Sequence, residues 1–153
     1  MLEIKHVNKK YKVTNKEYFQ ALYDININFK NGELLSIVGE SGSGKSTLMN
    51  LIGGLDSEFT GQIIAGGENL GTLTDKQLDK YRKDKVGFVF QSFNLISHLS
   101  ILDNVTLALT LSNVSEKEKV ERATKMLKMV GLESQLKKKP TQLSGGQKQR
   151  VAI

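Results

Sequence analysis

The stretch Gly39-Glu40-Ser41-Gly42-Ser43-Gly44-Lys45-Ser46-Thr47 constrains this chain more than any other. It fits G-x-x-x-x-G-K-[ST], a glycine-rich loop that leaves a strand and enters a helix. Glycine lets the backbone curl, so that successive N–H groups converge as a nest for anionic oxygen. Gly44, beside Lys45, leaves room for close approach. The helix that follows aims its positive N-terminal end at the same point. Lys45 adds an ammonium that reaches terminal phosphates, Ser46 offers the oxygen ligand that Mg²⁺ prefers, and Thr47 can bond a phosphate oxygen less directly. Without the right flanks the pattern would be an ordinary glycine-rich turn. Here the flanks agree. Leu34-Leu35-Ser36-Ile37-Val38 is almost continuously apolar, which predicts a parallel strand covered on both faces. Lys45 to Ile52 reads as a helix closed by Gly53-Gly54.

Periodicity places this loop between other elements. Leu2 to Val7 is a short strand pattern. From Ala21 to Phe29, Ile25, Ile27 and Phe29 alternate with Asp24, Asn26 and Asn28, so the first 30 residues read as an antiparallel β layer. Gly61 to Ala65 predicts another strand, ending in a Gly66-Gly67 turn. Thr74 and Gln77 form a capping-box pattern for a helix from Asp75 to about Lys83. Val86 to Phe90 predicts a second buried strand, ending at Gln91. Leu95 to Pro140 is helical in pattern. Ser115 and Glu118 form a second capping box, Val120, Ala123, Met126, Leu127 and Val130 share one face, and Gly131 is a stop. The expected segments are residues 1–94, with the β layer and the loop, a helical subdomain at 95–142, and a closing segment at 143–153.

Composition narrows the classes. The chain has 153 residues and no cysteine, which excludes disulfides and thiolate metal sites. No apolar run approaches the ~20 residues that span a bilayer. Met1 to Lys12 is charged and alternating, unlike a secretory leader. A cytoplasmic chain that meets the membrane only through a partner is expected. The formal charge of +6 favours polyanions in general. The longest basic run, Lys137 to Lys139, suits a solvated loop, and no nucleic-acid partner is expected.

A second motif follows at Leu143-Ser144-Gly145-Gly146-Gln147. Ser144 can cap a helix whose first N–H groups, with those of Gly145 and Gly146, could receive an anion. Alone it would be a turn and a cap.

With both motifs in place, the sequence resembles the nucleotide-binding domain of ABC transporters along its whole length. Gly39 to Thr47 resembles the Walker A motif, Val86 to Gln91 the strand into the Q-loop, and Leu143 to Gln147 the signature motif. Tyr11 sits where the family places an aromatic that stacks on adenine. Asn50 to Asp56 and Val86 to Leu95 look like the branch that exports lipoproteins, macrolides or antimicrobial peptides.

The resemblance implies an α/β P-loop ATPase core with an N-terminal antiparallel β layer and a helical subdomain. Its cofactors would be ATP and Mg²⁺, held by Gly39, Ser41, Gly42, Ser43, Gly44, Lys45, Ser46 and Thr47, with Tyr11 on the base. Gln91 would help hold Mg²⁺ and the attacking water. Two such domains would close head to tail, Ser144, Gly145, Gly146 and Gln147 of one meeting the ATP on Lys45 of the other. A transmembrane permease would dock on the helical subdomain.

The family pattern breaks in one respect. Members continue with an apolar strand ending in Asp-Glu, the Walker B motif, then a D-loop and a histidine, and the sequence holds no counterpart. Asp103, Asp75 and Glu58 lack the preceding strand, and His6 and His98 suit surface or packing roles. Leu34 to Val38 is therefore expected to have an unpaired edge, and turnover by these residues alone to be weak. A soluble ABC ATPase acting on ribosomes or DNA is the alternative. The short Q-loop-to-signature interval, about 50 residues, leaves no room for the long coiled coil of DNA-repair members.

Overall fold

The computed structural model describes residues 1–110 and 112–153. Leu111, within the predicted helical stretch, lies outside the described residues. The chain divides into two units, Met1–Gly87 and Phe88–Ile153, each with its own hydrophobic cluster.

In the first unit, β1 (Leu2–Lys12) and β2 (Tyr18–Phe29) form an antiparallel pair whose register runs from Leu2 opposite Phe29 to Lys12 opposite Tyr18. The other edge of β1 pairs with β3 (Thr60–Ala65), which turns through Gly66 and Gly67 into β4 (Glu68–Asn69). The sheet order is β2-β1-β3-β4. The alternation in β2 holds: Leu22 is buried, Ile25, Ile27 and Phe29 are half-buried, and Asp24, Asn26 and Asn28 are exposed. The β layer expected from the first 30 residues is thus present, with both strands longer than predicted.

Register shifts interrupt the β1–β2 ladder around Val7, where His6 and Asp24 adopt left-handed backbone conformations (φ 51° and 45°). Side chains take up the backbone amides there. His6 N–H donates to Asn26 Oδ1 at 2.8 Å, and Asp24 N–H donates to Asn8 Oδ1 at 2.9 Å. A bulge of this kind survives when every freed donor finds a partner.

Helix α1 (Lys45–Ile52) lays Leu48 and Leu51, three residues apart, onto Ile4, Val7, Leu22, Ile63 and Leu70. Each fully buried side chain of this size contributes roughly 1.5–3 kcal/mol. The helix stops where Gly54 turns left-handed (φ 67°) and the amides of Gly53, Gly54 and Leu55 bond back to Met49, Leu51 and Asn50. Helix α2 (Asp75–Lys85) starts at the predicted capping box, Thr74 N–H donating to Gln77 Oε1 at 2.9 Å. Tyr81 of α2 donates its hydroxyl to the Ile52 carbonyl at 2.9 Å, tying α2 to the end of α1.

Two predicted strands do not form. Leu34–Val38 and Val86–Phe90 belong to no strand. Among the described residues the sheet is wholly antiparallel. A parallel strand has no ladder of its own, so an apolar sequence without a parallel neighbour leaves its amides unpaired and its side chains uncovered. Leu34 is 99% exposed and Val38 87%. Phe88 and Phe90 instead stack on each other, with ring centroids 5.3 Å apart.

The second unit is helical, as predicted. Its helices are α3 (Ile101–Leu107), α4 (Glu116–Met129) and α5 (Gly145–Ala152). They surround Ile101, Leu127, Leu132, Leu143 and Val151. Ser100 caps α3, and Ser115 caps α4 by accepting from Glu118 N–H at 3.3 Å. Only this half of the second capping box forms, because the Glu118 carboxylate pairs with Arg122. Gly131 (φ 72°) ends the α4 region. Among the described residues, no helix is long and apolar enough to cross a membrane.

Candidate functional site

The loop before α1 is shaped by two glycines in left-handed conformations, Gly42 (φ 83°) and Gly44 (φ 87°). Gly44 also lies against β2. A β-carbon there would sit 2.6 Å from the Ala21 carbonyl oxygen and 2.8 Å from Leu22 Cδ2. Conformation and contact both demand glycine at this position. A bond from Ser43 N–H to the Glu40 carbonyl (3.2 Å) closes a tight turn inside the loop.

Lys45 reaches back across that turn. Its Nζ donates to the carbonyls of Gly39 (2.9 Å) and Glu40 (2.6 Å) and to Ser43 Oγ (3.2 Å). The ammonium therefore lies against the loop itself. Ser41, Ser43 and Ser46 are exposed, and Thr47 is half-buried.

The start of α1 differs from those of α3, α4 and α5. Serines cap α3, α4 and α5, whereas Gly44 supplies no side-chain cap and the first turn of α1 has no acid. The first N–H groups of a helix lack intrahelical partners. At α1 they are left to an external acceptor beside a lysine ammonium, and the residues present fit a polyphosphate. Among the described residues, no group of three or more His, Asp or Glu could hold a metal ion unaided. A Mg²⁺ at Ser46 would need phosphate oxygens as co-ligands.

Tyr11 lies near the end of β1, opposite Phe19, and is 38% exposed. Its hydroxyl donates to Asp56 Oδ2 at 3.3 Å, and Lys9 Nζ stands 4.7 Å from its ring centroid. Lys9 is only 2% exposed and pairs with the Asp56 carboxylate at 2.8 Å. Partial burial pushes the Asp56 pKa up. The hydrogen bond from Lys9, the bond from the Glu58 amide and the Lys9 charge outweigh it, and the carboxyl sits below its ordinary value. Sequence reasoning missed Lys9 and Asp56. The available signal was phase: Lys9 lies two residues from buried Val7 and shares its face of the strand.

The remaining expected site residues lie in the second unit. Gln91 is exposed in the turn closed by Phe93 N–H on the Phe90 carbonyl (3.2 Å), just before Phe93 and Asn94 in left-handed conformations. Ser144 and Gln147 cap α5 reciprocally. Ser144 N–H donates to Gln147 Oε1 at 2.9 Å, and Gln147 N–H to Ser144 Oγ at 3.3 Å. Both side chains are thus engaged in the helix start, with Gly145 and Gly146 in its first turn. The structure gathers Gly39 to Lys45 around one ammonium and Ser144 to Gln147 into one cap.

A family model described as ABC transporter matches residues 22–153. The chain belongs to the ABC transporter family. Among its ABC relatives is the ATP-binding protein MJ0796 of Methanocaldococcus jannaschii, 47% identical over the whole of this chain and 66% of its own length. The dimeric structure of that cassette bound to ADP and Pi superimposes with a TM-score of 0.87, covering 99% of this chain and 67% of the other. The macrolide export ATP-binding/permease protein MacB of Mannheimia succiniciproducens is 42% identical over all of this chain and 24% of its own length. The methionine import ATP-binding protein MetN 1 of Pseudomonas savastanoi is 43% identical over all of this chain and 45% of its own. The chain thus spans about two thirds or less of the length of these ABC proteins.

Proposed function

We propose that this ABC-family chain is the MgATP-binding part of an export ATPase, with the triphosphate held by the loop Gly39–Thr47. The observation that carries this is Lys45 lying across a loop whose helix start has no side-chain cap. A bound triphosphate would take up the free amides and draw the ammonium off the loop carbonyls. Ser46 would add one oxygen to Mg²⁺, and the base would stack on Tyr11. The Gly145 and Gly146 amides, behind the Ser144 cap, would meet the ATP held by a second copy. Gln91, exposed in its turn, would help hold Mg²⁺ and the attacking water and report nucleotide state to the permease.

Hydrolysis driving export through a membrane permease, at the cytoplasmic face, belongs to this proposal. Support for export comes from MacB; support for a second cassette comes from the dimeric MJ0796 structure. Phosphoryl transfer depends on positioning and electrostatics. The 153 residues, which span 66% of the length of MJ0796, should bind nucleotide.

The deciding experiment is equilibrium ATP binding with and without Lys45→Ala. Removing the charge-assisted hydrogen bond from the ammonium to phosphate should weaken affinity by roughly 10- to 100-fold. Equal affinities would reject the loop as the site. Co-purification of the protein with membranes and a permease is expected, and sedimentation with ribosomes would reject the export reading.

A further inference from the structure

Lys9 is the buried charged residue among the described residues, at 2% exposure, on a strand whose other lysines, Lys5, Lys10 and Lys12, are exposed. Burying an ammonium is costly, and pairing it often does no better than apolar residues of the same volume. Stability alone is therefore a weak reason for a lysine here. Its contacts suggest a different one. Lys9 Nζ bonds the Asp56 carboxylate at 2.8 Å and lies 4.7 Å from the Tyr11 ring centroid, while the Tyr11 hydroxyl donates to the same carboxylate at 3.3 Å. The three side chains close a triangle.

Asp56 is itself fixed by backbone. Its carboxylate accepts from Glu58 N–H at 3.0 Å, and its own N–H donates to the Asn50 carbonyl of α1 at 3.3 Å. The triangle therefore joins the end of β1, which bears Tyr11, to the C-terminal stop of α1. The other end of α1 bears Lys45 and the glycine loop.

We infer that Lys9 and Asp56 are positioning residues: they hold the Tyr11 ring at a fixed place relative to α1, so that one nucleotide can lay its base on the ring and its phosphates on the loop. This rests on Tyr11 as the base platform of the proposed function. Neither residue touches the nucleotide in this scheme. An unanchored ring would have to be ordered by the ligand, at a cost in affinity that falls on the base alone.

The test compares binding of ATP with binding of inorganic triphosphate, which has no base, to the whole chain. Tyr11→Ala should lower the ATP-to-triphosphate affinity ratio about tenfold, the low end for a base stacked on an aromatic ring. Lys9→Met should lower it by a similar factor, leaving triphosphate affinity within about twofold. Because Lys9→Met strands the Asp56 carboxylate and could unfold the chain, Lys9→Met/Asp56→Leu is measured beside it; that double variant leaves no buried charge unpaired. A loss of the ratio in the folded double variant supports the inference. If Tyr11→Ala lowers the ratio while the folded double variant keeps it, the positioning role is wrong and the platform stands. If Tyr11→Ala leaves the ratio unchanged, the platform fails and the inference with it.

Discussion

A β-carbon on Gly61 would lie 2.3 Å from the His6 carbonyl oxygen, and the residue holds φ at +94°. Both faults arise together in Gly61→Ala, so the variant should lose about 1–3 kcal/mol of stability by urea titration. Gly44→Ala meets a similar wall at Ala21 and Leu22, but its effect should extend to nucleotide binding, since the displaced backbone is the loop itself. The two glycines also differ in how they could be read. Gly44 stands in a motif whose chemistry demands it. The need for Gly61 is set by a carbonyl across a bulge more than 50 residues upstream in the chain, and no local pattern encodes that. Lys9 and Asp56 escaped notice for the same reason, being 47 positions apart. Their pair has a pH signature. The folded Asp56 carboxyl titrates below its ordinary value of 3.8. Its stabilising contribution is therefore present above that value and lost as pH falls through the folded pKa. Asp56→Asn should flatten the dependence of stability on pH below about pH 4, read from urea midpoints. An unaltered slope would show that the pair is too solvent-screened to matter.

Capping signals in the sequence translated into helix starts because a cap is satisfied within four residues. Thr74, Ser115 and Ser144 each stand at the N-cap position expected of them. Ser144→Ala should weaken α5 by ~1 kcal/mol, seen as faster amide exchange in its first turn. Leu34–Val38 and Val86–Phe90 failed on the opposite count. Their apolar runs state only that both faces should be covered, and the covering neighbour must come from elsewhere in space. The antiparallel β1–β2 pair carries its partner within the same 30 residues, so alternation was enough to find it. Legibility at this scale follows the distance, in sequence, to the group that completes the element.

At the scale of the whole chain, the missing ladder has a consequence. Leu34 and Val38 are 99% and 87% exposed in a stretch without strand partners. Backbone with unpaired amides and uncovered apolar side chains is a template for another chain. Self-association that rises with concentration is therefore expected, visible by light scattering across a dilution series. Leu34→Lys with Val38→Lys tests the cause directly. Side chains this exposed give up almost no burial, so the double variant should unfold at nearly the same urea concentration as the parent chain, within about 0.5 kcal/mol. Two added charges at the interface would repel a second copy, so its scattering should fall toward that of a monomer. If the double variant associates as strongly as the parent, Leu34–Val38 is not the interface, and the chain's tendency to recruit a partner has to arise from another surface.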